Sequence, residues 1–277
     1  MKKAFAALPK LPLIILAAVF LTPLAYTLAN SFMSTGEIAR YYLANRAYTP
    51  FHVVPDSFSL SGYYGVLIRR PDFLISFWNS LLLTGSIVIG QLIISSLAAY
   101  AFTFFRFRFR NFLFFLVIIL MMMPYQVTLV SNYIVLDKLG IVGSYPSVII
   151  PGAFSAFGVF LLRIVMESTP RDYVEAAKID GASHLRILAK IVLPNCKAGA
   201  VSLIVLSFID NWNMVEQPLV FLKDSSMYPL SIYLTEMSQN NFALGFAGGM
   251  IAVIPVLLLF FFFEEELVEG ISATNLT

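Results

Sequence analysis

Thr169-Pro170-Arg171-Asp172-Tyr173-Val174-Glu175-Ala176-Ala177-Lys178-Ile179-Asp180-Gly181-Ala182, closed twelve residues later by Pro194, is a polar, small-residue segment between two long apolar runs. The rest of the chain is far greasier. Of 277 residues, 59% are hydrophobic and 12% charged, with a mean hydropathy of +0.82, whereas soluble domains carry about 25% charge. Lipid is therefore the main solvent of this chain. A patterned, charged loop inside it is presented to something other than lipid.

Working outward from this loop, six apolar stretches reach the roughly 20 residues a spanning helix needs: 11–32, 77–104, 112–136, 145–166, 198–220 and 242–263. Irregular backbone cannot face lipid, so they are expected as helices; the alternation of a membrane β-barrel is absent. The reading is an all-α integral membrane fold of six transmembrane helices. Its expected parts are an N-terminus at 1–10, a first helix at 11–32 and an outer loop at 33–76. A helical core follows at 77–263, containing the polar loop 168–197, and then a tail at 264–277. Twelve of the 18 lysines and arginines flank the apolar stretches on one side of the expected membrane, among them Lys2, Lys3, Arg106, Arg108, Arg110 and Arg186, against six on the other. By the positive-inside rule both termini and the loop are expected in the cytoplasm. The run after Lys2 and Lys3 exceeds a signal peptide's 7–15-residue apolar core. Although Thr27 and Ala29 resemble a weak cleavage site, it is read as an uncleaved helix.

Several chemistries are excluded. Cys196 is the single cysteine, so neither an intrachain disulfide nor a CxxC metal site can form. His52 and His184 fall on opposite sides of the membrane, and there is no HExxH or GxxxxGK[ST] pattern. No metal, no catalytic residue and no cofactor is expected in this chain, and it does not hydrolyse ATP by itself. The net charge of +2 reflects topology markers and gives no nucleic-acid patch.

The polar loop reads as two short helices. Thr169 is a candidate N-cap, Pro170 suits the first helical position and Asp172 completes a Thr-x-x-Asp box. Gly181 is a natural stop and Ser183 can cap the second helix. There Leu185, Leu188, Ala189 and Val192 recur at helical spacing, predicting one apolar face, and Pro194 ends the segment. The Arg106-Phe107-Arg108-Phe109-Arg110 run between two spans reads as a tight turn with arginines at headgroup level.

Glu175-Ala176-Ala177, then Asp180-Gly181-Ala182, then Pro194 thirteen residues after the glycine resembles the EAA loop of bacterial ABC importer permeases. Seven fixed residues at roughly 7% usage each match by chance about once in 10⁸ starting positions. Val54-Pro55, Ser59 to Tyr63, Asn79-Ser80-Leu81, Ala98 to Phe102, Met123 to Val127, Leu139-Gly140, Trp212-Asn213 and Pro218-Leu219 are similar to the MalG-like carbohydrate permeases, so the resemblance covers about 12–271. Leu188 stands where that family often has Phe, and Ala198 and Ser131 where it often has Pro. The tail Glu264-Glu265-Glu266 is acidic where the family is basic. Four acids at 264–269 oppose the helix dipole at roughly 0.3–1 kcal/mol each; they are expected either as a solvated end or as a contact with basic groups of a partner.

The resemblance implies a type I ABC importer permease in a bacterial inner membrane. Its elbow would act as a coupling helix, with Glu175, Ala176, Ala177, Asp180, Gly181, Ala182 and Pro194 meeting an ATP-binding subunit. The implied partners are a second homologous permease, two cytosolic ATP-binding subunits that hold ATP and Mg, an extracytoplasmic solute-binding protein and a carbohydrate. Gln239, Asn240 and Asn241, in the outer loop 223–241, would contact the binding protein.

Polar groups at membrane depth are costly and face a cavity or a neighbouring helix. The richest cluster is Asp210, Asn211, Trp212, Asn213, Glu216 and Gln217; Tyr125, Gln126, Asn132 and Tyr133 lie on the third span and Gln91, Ser95 and Ser96 on the second. Tyr125, Gln126, Asn132, Asn211, Trp212, Asn213 and Glu216 are candidates for a sugar path, amides and carboxylates for hydroxyls and rings for C–H faces. Helix–helix contacts are the competing use. Gly245, Gly248 and Gly249 suggest close helix packing. Two other functions stay open: an EAA-type permease for a non-sugar solute, and an ATP-independent channel or carrier.

Overall fold

The computed structural model describes residues 11–43, 52 and 54–267. Helices carry this part of the chain, and no strand occurs among the described residues. In order they are α1 (Leu11–Ser31), α2 (Thr35–Ile38) running into a π turn at Ala39–Leu43, α3 (Ser61–Leu67), α4 (Pro71–Phe104), α5 (Arg110–Met122), α6 (Tyr125–Lys138), α7 (Pro146–Gly152) and α8 (Ala156–Glu167). Next come α9 (Arg171–Ile179) and α10 (His184–Ile187), the latter continued by a π turn at Leu188–Val192 and the single turn Leu193–Asn195. The chain continues with α11 (Lys197–Trp212), α12 (Glu216–Phe221), α13 (Leu230–Asn240) and α14 (Phe242–Phe262).

Four stretches are long and apolar enough to cross a membrane: Pro12–Ser31, Pro71–Phe104, Pro146–Glu167 and Phe242–Phe262. Two bent pairs, Arg110–Met122 with Tyr125–Lys138 (104°) and His184–Asn195 with Lys197–Trp212 (86°), bring the number to six if each is one span. Helix α4, with 34 residues, is about 51 Å long at 1.5 Å per residue, well over the ~30 Å hydrocarbon layer.

Proline and polar residues break three of the stretches expected as continuous helices. The 112–136 stretch divides at Met123–Pro124, where α5 and α6 meet at 104°. Met123 is extended, with φ −73° and ψ 128°, because a residue before proline is excluded from the helical region; Pro124 has no N–H to continue the ladder. The 145–166 stretch is α7 and α8, separated by an extended Ser155 whose hydroxyl caps Gly158 N at 3.0 Å. The 198–220 stretch is α11 and α12, interrupted after Trp212. The Arg/Phe run is a turn as expected, with Phe109 at φ 63°.

The chain divides into two compact units, residues 1–77 with 232–254, and residues 78–231 with 255–277. In the first, Met33, Ile38 and Ala243 form a small core edged by Tyr42 and Phe246. Helix α3 lies close to α14: a Cβ on Gly62 would stand 3.1 Å from Ala243 O. Gly248 also serves close packing, against Met237 and Leu234, whereas a Cβ on Gly249 would meet nothing nearer than 4.0 Å. In the second unit, Leu83, Ile87, Leu136, Val148, Met214, Phe221 and Leu222 form one core cluster. Asn79 ties its edge, donating to Ser226 O at 2.8 Å and accepting from Tyr145 Oη at 2.8 Å. Ser80 Oγ accepts from Leu230 N at 2.7 Å. Gln91 Nε2 donates to Gly152 O at 2.8 Å, so this amide joins two helices.

Candidate functional site

The elbow at 169–196 is built by a Schellman turn. Asp180 is the C-cap of α9, and Gly181 follows it at φ +77°. Gly181 N donates to Lys178 O at 3.0 Å and Ala182 N to Ala177 O at 2.9 Å, the paired bonds that satisfy a helix's last carbonyls. Glycine fits here because L-residues resist the left-handed region. The expected stop at Gly181 is what the backbone does.

One face of the elbow is locked to the chain's own helices. Val174 and Ala177 of α9, with Ile187, Leu188 and Val192, share a core with Ala99 and Tyr100 of α4, Leu162 and Met166 of α8, and Leu203 of α11. Burying the four larger aliphatic side chains contributes on the order of 6–12 kcal/mol as an upper bound. Polar ties add direction. Tyr100 Oη and His184 Nδ1 are hydrogen-bonded at 3.0 Å, Phe105 meets His184 edge-on at 4.7 Å, and Arg171 Nη2 donates to Thr103 O at 3.4 Å.

The other face is open. Ile179 is 87% exposed, Leu185 67% and Tyr173 54%, and Glu175, Ala176, Asp180, Gly181 and Pro194 are exposed beside them. Ala182 is half-buried, and Ala177 is buried within the core, so its small side chain serves the chain's own packing.

Three details of the elbow differ from the sequence expectation. Pro170, with no side-chain cap, occupies the N-cap position of α9; Thr169 is buried and its hydroxyl lies 3.5 Å from Cys196 Sγ. Ser183 is the N-cap of α10 but makes no capping bond. The buried face is Ile187, Leu188 and Val192 instead of Leu185, Leu188, Ala189 and Val192. The π turn takes an extra residue, which advances the phase and turns Leu185 outward.

A cavity of about 540 Å³ opens where α11 breaks toward α12, lined by Tyr125, Ile209, Asp210, Asn211, Asn213, Met214, Val215, Glu216 and Gln217. Tyr125 also borders a second cavity of about 410 Å³, with Thr128, Asn132 and Phe154. Glu216 accepts from Gln126 Nε2 through both oxygens, at 3.0 and 3.1 Å. The hydroxyl of Tyr125 and Oε1 of Gln217 are buried and make no hydrogen bond of good geometry, and the phenol lies beside the Asn132 and Gln217 side chains. Asn211 and Asn213 return their amide N–H groups to Ser207 O and Ile209 O. The expected Tyr125, Asn211, Asn213 and Glu216 are thus brought together, with Gln126 bonded to Glu216 and Asn132 one cavity away. Trp212 does not line either cavity; it is 5% exposed and stacked on Phe208 at 5.4 Å. Two carboxylates, several amides and a phenol around a break in a helix can exchange hydrogen bonds with a polar solute, as discontinuous membrane helices do.

A more open, cationic cavity of about 780 Å³ lies along Arg106, Arg108, Arg110 and Arg171. Of the outer-loop trio, the side chains of Gln239 and Asn240 lie outside the described residues, and Asn241 Oδ1 accepts from Leu244 N at 3.3 Å.

Apolar helices broken around a polar cavity, with an anchored elbow between two of them, describe a multi-pass membrane protein, and its fold is that of a type I ABC importer permease. The chain belongs to the family of binding-protein-dependent transport system inner membrane components, whose sequence model matches residues 91–269. It is 28% identical to the arabinooligosaccharides transport system permease protein AraQ of Halalkalibacterium halodurans, over 79% of each chain. It is 29% identical to the sn-glycerol-3-phosphate transport system permease protein UgpE of Rhizobium meliloti, over 95% of each. Identity reaches 33% with the osmoprotective compounds uptake permease protein GgtD of Synechocystis sp., over 76% of this chain and 73% of that protein. Among solved structures, a chain of a bacterial ABC transporter that imports the acidic polysaccharide alginate superposes with a TM-score of 0.80 at 24% identity, covering 95% of this chain and 96% of that one.

Proposed function

We propose that this chain is the membrane-spanning permease subunit of an ATP-driven, binding-protein-dependent carbohydrate importer, with an oligosaccharide or related sugar as its solute. The observation that carries the reading is the two-faced elbow: one side fixed to α4, α8 and α11, the other projecting Ile179 and Leu185 away from the chain. An element held this way moves as one body with the helices it is packed on. A cytosolic ATP-binding subunit gripping the outer face would pull those helices between inward- and outward-open states. Glu175, Ala176, Asp180, Gly181, Ala182 and Pro194 would form or shape the gripped surface, and ATP and Mg would sit on the partner. The chain would perform no catalytic step. Both termini and the elbow would be cytoplasmic. A second homologous permease would complete the path, and the 239–241 segment would meet the solute-binding protein.

The sugar assignment is supported by the polar cavity and by relatives named for arabinooligosaccharides and alginate. A relative named for sn-glycerol-3-phosphate at similar identity supports the second reading, a non-sugar solute handled by the same machine. The test is to purify the complete transporter through this chain, reconstitute it, and measure uptake of a panel of labelled oligosaccharides and of glycerol-3-phosphate with and without ATP. ATP-dependent oligosaccharide uptake is expected. Uptake that is indifferent to ATP, in a preparation lacking an ATP-binding subunit, would refute the importer; exclusive uptake of glycerol-3-phosphate would refute the sugar.

A further inference from the structure

In the unit of residues 1–77 and 232–254, three metal-ligating side chains converge: Glu37 of α2, and His52 and Asp56 beyond it. The Glu37 side chain is 5% exposed, and its Oε2 is buried with no hydrogen-bond partner. His52 Nε2 is also buried and makes no hydrogen bond. It stands 3.6 Å from Glu37 Oε1 and 3.6 Å from Asp56 Oδ1, too far for a hydrogen bond. One ligand atom from each of the three residues lies within 4.8 Å of the other two. Buried polar atoms are rarely left unsatisfied, and the half-exposed Asp56 sets a second carboxylate beside buried Glu37, a repulsion that a bound cation relieves.

The spacing suits a metal. Donors at roughly 2.0–2.2 Å from a tetrahedral zinc stand about 3.3–3.6 Å apart. The donor set, one imidazole and two carboxylates, suits zinc better than calcium or magnesium, which take oxygen. Outer partners hold the donors in place, as metal ligands require. Tyr41 stacks on the His52 ring at 4.0 Å and donates to Asp56 Oδ2 at 2.9 Å. Asp56 N donates to Glu37 Oε1 at 2.6 Å, and Asn30 Nδ2 donates to the His52 carbonyl at 3.4 Å. We infer that Glu37, His52 and Asp56 form a three-ligand site for a zinc-class divalent cation, with a fourth coordination position left for water or an incoming donor. The ion would tie α2 to the segment after it. No sequence motif announces the site, because its ligands are 15 and four residues apart.

The experiment uses the full-length chain, purified in detergent through a tag without histidines and treated with chelator. Zinc chloride is titrated against a chromophoric chelator, with magnesium chloride as the comparison. About one zinc per chain is expected, with a raised unfolding temperature and no response to magnesium. The isosteric Glu37→Gln and Asp56→Asn should each weaken zinc by at least about tenfold, while the exposed Asp72→Asn leaves it unchanged. X-ray absorption should show one imidazole and oxygen donors without sulfur, which separates the site from Cys196. Should a variant not fold, the absorption spectrum of the wild-type chain decides. Absence of zinc binding, binding unaffected by both variants, or a sulfur donor would each overturn the site.

Discussion

Replacing Gly181 with alanine isolates the elbow's backbone from its packing. A Cβ at this position meets nothing within 4 Å, so sterics with neighbours cost nothing. The φ of +77° is the whole penalty, roughly 1–2 kcal/mol for an L-residue held in the left-handed region. That corresponds to a factor of about 5–30 in the population of a locally opened elbow. The amide to watch is Ala182 N, bonded to Ala177 O. Hydrogen exchange across this peptide should speed up by that factor in Gly181→Ala, and by less in Gly181→Asn, since asparagine tolerates the left-handed region. Gly181→Pro should be worst, because proline fixes φ near −65° and removes the N–H that Lys178 O accepts. Uptake per ATP hydrolysed by the reconstituted transporter should fall in the same order. An alanine variant with wild-type exchange, together with a proline variant that keeps full coupling, would refute the claim that this turn sets the elbow's geometry.

Other expectations follow from the same contacts. Ile179→Glu and Leu185→Glu should abolish capture of the ATP-binding subunit while leaving membrane insertion intact, read by co-purification from solubilised membranes. Tyr100→Phe removes the 3.0 Å bond to His184 and should loosen the elbow by about 0.5–1.5 kcal/mol, seen as faster proteolysis between 171 and 187. Glu216→Gln should keep subunit assembly but reduce solute uptake, since it removes a carboxylate from the polar cavity; unchanged uptake kinetics would take Glu216 off the path. Lys197 Nζ, 2.6 Å from Glu266 Oε1, holds that half-buried carboxyl below the usual glutamate range. A lowered folded-state value means that the contact's stability is present above the unfolded value, about 4.3, and is lost only as pH falls through the lowered one. The difference in unfolding temperature between wild type and Glu266→Gln should therefore be small and constant from pH 8 to 5, shrinking only in stronger acid.

The parts of the molecule legible in the sequence are those written by local physics. Gly181 could be placed because only a left-handed turn needs it there, and the apolar runs because lipid leaves the backbone no other partner. The breaks at Pro124 and after Trp212 were less legible: a hydropathy run does not register a bend. The buried face of α10 was misphased because helical spacing assumes 3.6 residues per turn, and the π turn at Leu188–Val192 changes the count. Ala177 and Trp212 look like contact residues by type, yet the chain uses both for its own core. Thr169 likewise spends its hydroxyl on Cys196 in place of a cap. Tyr100 with His184, 84 residues apart, and Glu37 with His52 and Asp56 are joined only by folding, and no local pattern carries that information. Asn79 and Ser80 were visible as a resemblance alone; their bonds to the 226–230 loop explain what the pair does.

The central claim is that the outer face of the elbow is where an ATP-binding subunit grips this chain. A photo-crosslinking residue placed at Ile179 of the assembled transporter tests it most directly, with Ile187, fully buried on the inner face, as the internal comparison. The account predicts an adduct with the ATP-binding subunit from position 179 and none from position 187. An active transporter that yields no such adduct from position 179 would contradict it.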